Sequence, residues 1–244
     1  VQLSNARIWI TGASRGIGYE IALQALQSGA KVCLMSRSEA DISRFAEEYR
    51  QNILLFRGSV ANRQHMEQCA LEIRQKFGGL DILINNAGLA TFAPLAETTY
   101  DQAKQMLDIN VLGVFNAIQA SLPMLIDKPV QKPAFILTVH SIAAVHTFPN
   151  CALYSATKSA TLAMMKSLRE ELRENGISII DILPGATATE IWNTDTLQEY
   201  SYRMMSSKEV ASTIIQALQI SRQHDDASMC IEQIILRPWQ GDLP

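Results

Sequence analysis

Short runs rich in Ile, Leu and Val alternate along the chain with longer stretches whose apolar residues recur at helical spacing. Strands are expected over Arg7–Thr11, Lys31–Ser36, Ile53–Arg57, Asp81–Asn85, Ala134–His140, Ile177–Leu183 and Cys230–Leu236. Each run is mostly apolar rather than alternating, the pattern of strands covered on both faces. Between them the spacing predicts helices over Gly16–Ser28, Glu39–Arg50, Arg63–Phe77, Tyr100–Ile126, Ala152–Asn175 and Lys208–Arg222. Repeated strand–helix order implies an α/β protein: a doubly wound, parallel, seven-stranded sheet with helices on both sides and right-handed crossovers.

Two segments break this rhythm. Asp127–Pro133 holds two prolines and no apolar periodicity, so an exposed loop is expected before the fifth strand. It resembles no functional pattern. Ala186–Ser206 is long and mixed, with Trp192, Tyr200, Tyr202, Met204 and Met205, as irregular segments that cover active sites often are. Neither marks a domain boundary. One domain over residues 1–244 is expected, with a substrate-covering segment at about 186–206.

Composition narrows the function. The 244 residues are 48% hydrophobic and 18% charged, which supplies a core and argues against disorder. A net charge of −3 gives no electrostatic reason to expect nucleic acid or an anionic membrane as partner. No uninterrupted apolar run approaches the roughly 18 residues of a membrane helix, and Val1–Arg7 lacks a secretory pattern. Cys33, Cys69, Cys151 and Cys230 are scattered in sequence, without a C-x-x-C pair or a partnering histidine. Reduced thiols, no metal site and a cytoplasmic location are the expectation.

The first candidate site follows the first strand. Thr11-Gly12-Ala13-Ser14-Arg15-Gly16-Ile17-Gly18 allows a tight turn and points a helix N-terminus at an anion. Its spacing is G-x-x-x-G-x-G rather than the commoner G-x-G-x-x-G. The second strand ends in Ser36-Arg37, where a carboxylate would select a free ribose 2′-hydroxyl. Arg37, with Arg15, suits a 2′-phosphate instead. NADP(H) is therefore expected in preference to NAD(H).

Further motifs give a family resemblance that spans nearly the whole chain. Asn85-Asn86-Ala87-Gly88, Asp108-Ile109-Asn110-Val111, Ser141, Tyr154-Ser155-Ala156-Thr157-Lys158, Pro184-Gly185 and Thr189 follow the glycine turn in order. In this the sequence resembles the classical short-chain dehydrogenases/reductases. The resemblance implies a Rossmann fold, a catalytic set of Asn110, Ser141, Tyr154 and Lys158, and cofactor contacts from the residues just named. Thr187 joins these contacts, as do Ser59 and Val60 at the adenine, where relatives commonly carry an aspartate. It also implies that Asn110 holds a water linking Lys158 to a proton relay. Pairing of subunits through Tyr100–Ile126 and Ala152–Asn175, as a homotetramer or homodimer, is implied in the same way.

The chemistry agrees. Tyr154 and Lys158 stand at i and i+4, so they share a helix face. A tyrosine titrates near ~10, and a nearby ammonium with an oxidised nicotinamide favours its phenolate. Tyr154 is then the proton donor or acceptor and Ser141 the hydrogen-bond partner of the reacting oxygen. The expected activity is hydride transfer between nicotinamide and a small or medium carbonyl or alcohol. A non-catalytic NADP-binding sensor or scaffold, and a 3-oxoacyl-thioester reductase, are the alternatives. Ala143, Asn150, Cys151, Ala186 and Trp192 are expected in the substrate pocket. Asp81 is expected as a turn or cap residue, and Met164 and Met165 as packing. Lys166, Arg169, Glu170, Glu171, Arg173 and Glu174 are expected on a solvated helix face, and His140 as a packed histidine pointing away from Ser141.

Overall fold

The computed structural model describes residues 3–37, 47–128, 134–221 and 229–243. Strands β1 (Arg7–Thr11), β2 (Lys31–Ser36), β3 (Ile53–Arg57), β4 (Ile82–Asn85), β5 (Ala134–Val139), β6 (Ile177–Pro184) and β9 (Gln233–Leu236) form a seven-stranded sheet in the order β3-β2-β1-β4-β5-β6-β9. Every pairing in it is parallel. Two short strands, β7 (Thr187–Ala188) and β8 (Met205–Ser206), pair separately.

Residues along each strand alternate between two cores. Ile8, Ile10, Val32 and Leu34 pack under α1 (Gly16–Gln27) and α7 (Ser207–Ser221). Trp9, Cys33, Met35 and Leu83 pack on the other face, under α2 (Arg63–Phe77), α4 (Gly113–Ile126) and α5 (Ala152–Leu172). Burial on both faces is why these strands read as continuous apolar runs. Met165 is fully buried in that second core and Met164 packs against it, as expected.

The structure also revises several expectations. Tyr100–Ile126 is not one regular α-helix: α3 (Tyr100–Leu107) and α4 flank a π-helical turn at Asp108–Leu112. An 18-residue window of this 27-residue stretch reaches a mean hydropathy of 1.6, enough by length and composition for a membrane span, because charges are sparse there although no apolar run is long. It packs in the sheet's core through Val114, Ala117, Ile118, Met124 and Leu125. Of the predicted Glu39–Arg50 helix, residues 39–46 lie outside the described residues, and Glu47–Asn52 is a 3-10 turn. Most of the proline loop, 129–133, is outside as well.

Three side-chain readings are revised. Cys33 and Cys69 are neighbours in the core, their Sγ atoms 3.6 Å apart, because α2 packs on β2. Arg169 is not solvated. Its guanidinium donates to Asp181 Oδ2 at 2.7 Å with only 12% of the side chain exposed. Asp81 is more than a cap: it accepts from the backbone and guanidinium of Arg7 and pairs with Lys128, which holds its carboxyl well below the usual range.

Candidate active site

Between β1 and β4 the strand order reverses, and the connections at their C-terminal ends leave in opposite directions. This is where open parallel sheets bind ligands. A cavity of about 730 Å³ opens there. One end is lined by Arg15, Ser36, Arg37, Ser59 and Val60, and the other by Ser141, Tyr154, Lys158 and Trp192.

The glycine turn forms its floor. Gly12 has φ 69°, and a Cβ there would lie 2.7 Å from Ala87 Cα. Asn86 Nδ2 staples the turn, donating to Thr11 O at 3.1 Å and Gly12 O at 2.9 Å. Thr11 Oγ1 in return accepts from the amides of Asn86 and Ala87. Gly12, Ser14, Gly16 and Ile17 line the cavity, as do Asn86, Ala87 and Gly88. Gly18 does not. A Cβ there would strike Asn86 Nδ2 at 2.3 Å and Gly12 O at 2.4 Å, so its role is close packing of α1 on the turn. Arg15, the residue before α1, is extended and makes no side-chain cap, which leaves the first-turn amides to an incoming anion. A dinucleotide phosphate fits this cradle. Pro184, Gly185, Ala186, Thr187 and Thr189 line the same cleft on the β6 side.

At the far end, β5 runs out into Ser141, whose Oγ accepts from Ala143 N at 3.1 Å. Tyr154 and Lys158 come from the start of α5 and are both buried. Burial pushes the Tyr154 phenol up to about 12, against a hydrogen bond with Ser141 that works the other way. Burial also pulls Lys158 down to about 8. Its Nζ lies 5.8 Å from the centre of the Tyr154 ring and donates to Val139 O at 3.0 Å.

Asn110 does not line the cavity. It sits buried in the π-helical turn, where Oδ1 accepts from Leu89 N at 2.8 Å. Its Nδ2 donates to Leu89 O at 2.8 Å and to Thr157 Oγ1 at 3.0 Å. Its side chain thus ties the loop after β4 to α5. A π turn here fits their frequent placement at functional sites.

The expected pocket residues Ala143, Asn150, Cys151, Ala186 and Trp192 all line the cavity. Burial raises the Cys151 thiol. The 186–206 segment is more ordered than its sequence implied, holding β7, α6 (Thr194–Tyr200) and β8. Sequence reasoning missed Phe92, Phe148, Asp242 and Leu243, which line the cavity from distant parts of the chain. His140 points away from the reacting end, as alternation implied. It is buried with Nε2 2.8 Å from Asp181 Oδ1 and Nδ1 3.2 Å from Thr161 Oγ1. Its pKa is lowered by burial, opposed by Asp181 and reinforced by Lys158. Among the described residues, no cluster of His, Cys, Asp or Glu is placed to hold a metal ion.

A family model described as short chain dehydrogenase matches residues 6–199. The chain belongs to the short-chain dehydrogenase family of oxidoreductases. Among relatives in this family, an uncharacterized oxidoreductase of Listeria monocytogenes is 33% identical over 209 residues, covering 84% of this chain and 83% of that one. The fold is shared with an alcohol dehydrogenase of the archaeon Thermococcus sibiricus complexed with 5-hydroxy-NADP, at TM-score 0.85 and 23% identity over 99% of this chain and 100% of that one. It is also shared with a 3-ketoacyl-(acyl-carrier-protein) reductase of Brucella melitensis complexed with NADH, at TM-score 0.84 and 24% identity over 95% and 97%.

Proposed function

We propose that this short-chain dehydrogenase is an NADP(H)-dependent carbonyl reductase or alcohol dehydrogenase. The observation that carries this reading is that Ser141, Tyr154 and Lys158 line one end of a cleft whose other end carries Arg15 and Arg37. The 5-hydroxy-NADP and NADH bound in the Thermococcus and Brucella structures support a nicotinamide nucleotide as the cleft's occupant. When bound, that group supplies or accepts the hydride.

The chain's own residues do the rest. The glycine turn and the first turn of α1 hold the diphosphate, and Arg15 and Arg37 meet a 2′-phosphate. Ser141 orients the substrate oxygen and donates to it as charge develops. Tyr154, held neutral by burial, delivers the proton in the reductive direction. Lys158 would hold the nicotinamide ribose and supplies positive charge near the phenol, and Asn110 fixes the loop after β4 beside them. Phe92, Phe148 and Trp192 surround the reacting end with apolar surface, which suits a small or medium neutral carbonyl compound. A 3-oxoacyl carrier substrate would need a basic docking patch. Arg203, the one basic residue in the 186–206 segment, is spent on the carbonyls of Gln240 and Asp242.

Exposed Tyr100, Leu107, Leu112 and Phe115 on the α3–α4 stretch support association of like subunits through that face, tested by sedimentation of the purified protein. The activity is tested with Tyr154→Phe. NADPH binding should persist while carbonyl-dependent NADPH oxidation falls by at least ~100-fold. Full turnover in that variant would sink the mechanism. Binding of NADPH by the wild type without turnover of aldehydes, ketones, diketones or 3-oxoacyl thioesters would point to the sensor reading instead.

A further inference from the structure

The adenosine end of the cleft holds a third arginine. β3 is the edge strand of the sheet, and its last residue, Arg57, stands in register with Ser36, the last residue of β2. Leu34 and Leu55 pack in the core under α1, whereas Met35 and Phe56 face the opposite core. Two residues further along each strand, Ser36 and Arg57 therefore sit on the α1 side of the sheet. That is the side on which Arg15 opens α1. Arg57 Nε donates to the carbonyl of Arg37 at 3.3 Å, which brings its guanidinium to the point where the chain leaves β2. The cavity lining passes through Ser36 and Arg37 on one side of Arg57 and Gly58 and Ser59 on the other. Arg57 stands at the rim between them.

We infer that Arg57 is part of the recognition site for the adenosine 2′-phosphate, closing it from the β3 side. The inference rests on the NADP(H) reading above. With Nε engaged on the Arg37 carbonyl, the plane of the guanidinium is set. Its two terminal nitrogens are the part of the fork that donates to phosphate oxygens. The bond also links Arg57 to the backbone position of Arg37, so both cations are presented together. Among the described residues that line this end, Arg15, Ser36, Arg37, Ser59 and Val60, none carries a carboxylate. The same geometry explains how a chain of net charge −3 offers a strongly anionic group a favourable landing point.

A purely structural role for Arg57, as a tether between β2 and β3, would affect NADPH and NADH alike. Phosphate recognition would not. The test is equilibrium binding of NADPH, NADH and 2′,5′-ADP at fixed ionic strength to the wild type, Arg57→Gln and Arg57→Lys. Arg57→Gln should weaken NADPH and 2′,5′-ADP by about tenfold, as expected for one charge-assisted phosphate contact, and leave NADH within about twofold. Arg57→Lys should recover part of the loss, keeping the charge but not the fork. Intact NADH binding shows that each variant is folded. Equal weakening of NADPH and NADH, or no weakening of NADPH, overturns the assignment of Arg57. A wild type that binds NADPH no better than NADH overturns the cofactor reading itself, and the role of Arg57 with it.

Discussion

The ring of Phe92 lies nearly parallel to the indole of Trp192, with 4.7 Å between ring centres and 18° between planes. The same ring meets Tyr154 edge-on at 5.6 Å and 72°. Phe92 comes from the loop after β4 and Trp192 from the segment after β6, so this contact closes the cavity across two separate loops. Trp192 is held in turn by Nε1 donating to Thr187 O at 3.1 Å. Aromatic pairs of this kind contribute ~0.5–1.5 kcal/mol beyond the area they bury.

Phe92→Ala should therefore loosen the apolar wall beside the reacting oxygen. For an apolar ketone, KM should rise by up to about tenfold, the equivalent of ~1.4 kcal/mol, while the Kd for NADPH stays constant. Steady-state kinetics with a ketone series checks this. An unchanged KM for every member would remove Phe92 from the substrate's path.

Tyr154 sets the pH dependence. Its phenol is pushed up to about 12 by burial, so the proton donor stays loaded across neutral and mildly alkaline pH. Reduction uses the protonated phenol, so loss of the Tyr154 proton should lower its rate only as pH rises toward that value. Oxidation uses the phenolate, so its rate should climb with pH over the same window. Rate profiles in both directions test the sign. A reductive rate that drops between pH 6 and 8, on the order of the ordinary histidine range, would assign the proton to another group.

How far the sequence led follows from the range of the interactions concerned. The glycine turn and the Tyr154–Lys158 pair are local patterns, so spacing alone placed them. The alternation of buried strands with helices was equally direct. Phe92, Asp242 and Leu243 reach the cavity only through tertiary folding, and no local spacing marks them. The π turn at Asp108–Leu112 left no trace in composition, because the same residues suit an α-helix. Arg169 looked solvated beside Glu170 and Arg173, which do pair on the surface. The missed signal was Asp181, a lone carboxylate inside the apolar strand Ile177–Pro184, which had to find a buried partner.

Lys158 should cost the apoprotein stability near neutral pH. Its folded-state pKa is lowered to about 8 from 10.5 by burial. Below pH 8 the ammonium is charged in both states, and the whole burial penalty is present. Between about 8 and 10.5 the folded state has lost its proton and the unfolded state has not, so stability rises with pH in that window. A shift of this size corresponds to ~3 kcal/mol. The stability difference between wild type and Lys158→Met should change by about that amount from pH 8 to 10.5, with the variant relatively more stable at pH 7. Denaturant unfolding at several pH values measures it. A difference that does not vary with pH would mean that the buried ammonium is already compensated.

The buried carboxylate of Asp181 joins two elements behind the site. Oδ2 accepts from Arg169 on α5, and Oδ1 lies 2.8 Å from Nε2 of His140 at the end of β5. Arg169 also donates to Glu232 O at 3.1 Å, which extends the link toward β9. Asp181→Asn keeps the shape but leaves the nearly buried Arg169 charge with only the long 3.9 Å contact to the half-exposed Glu232 carboxylate. Removing one partner of such a pair costs ~3 kcal/mol or more. For a domain of this size the melting temperature should fall by roughly 10 °C. Replacing both partners by residues without charge should cost less than the single change, because the desolvation of the remaining ion is removed as well. The double variant Asp181→Asn with Arg169→Met is therefore expected to melt above Asp181→Asn alone. A single variant that melts within about 2 °C of the wild type would show that water or a neighbouring group has taken over the charge of Arg169.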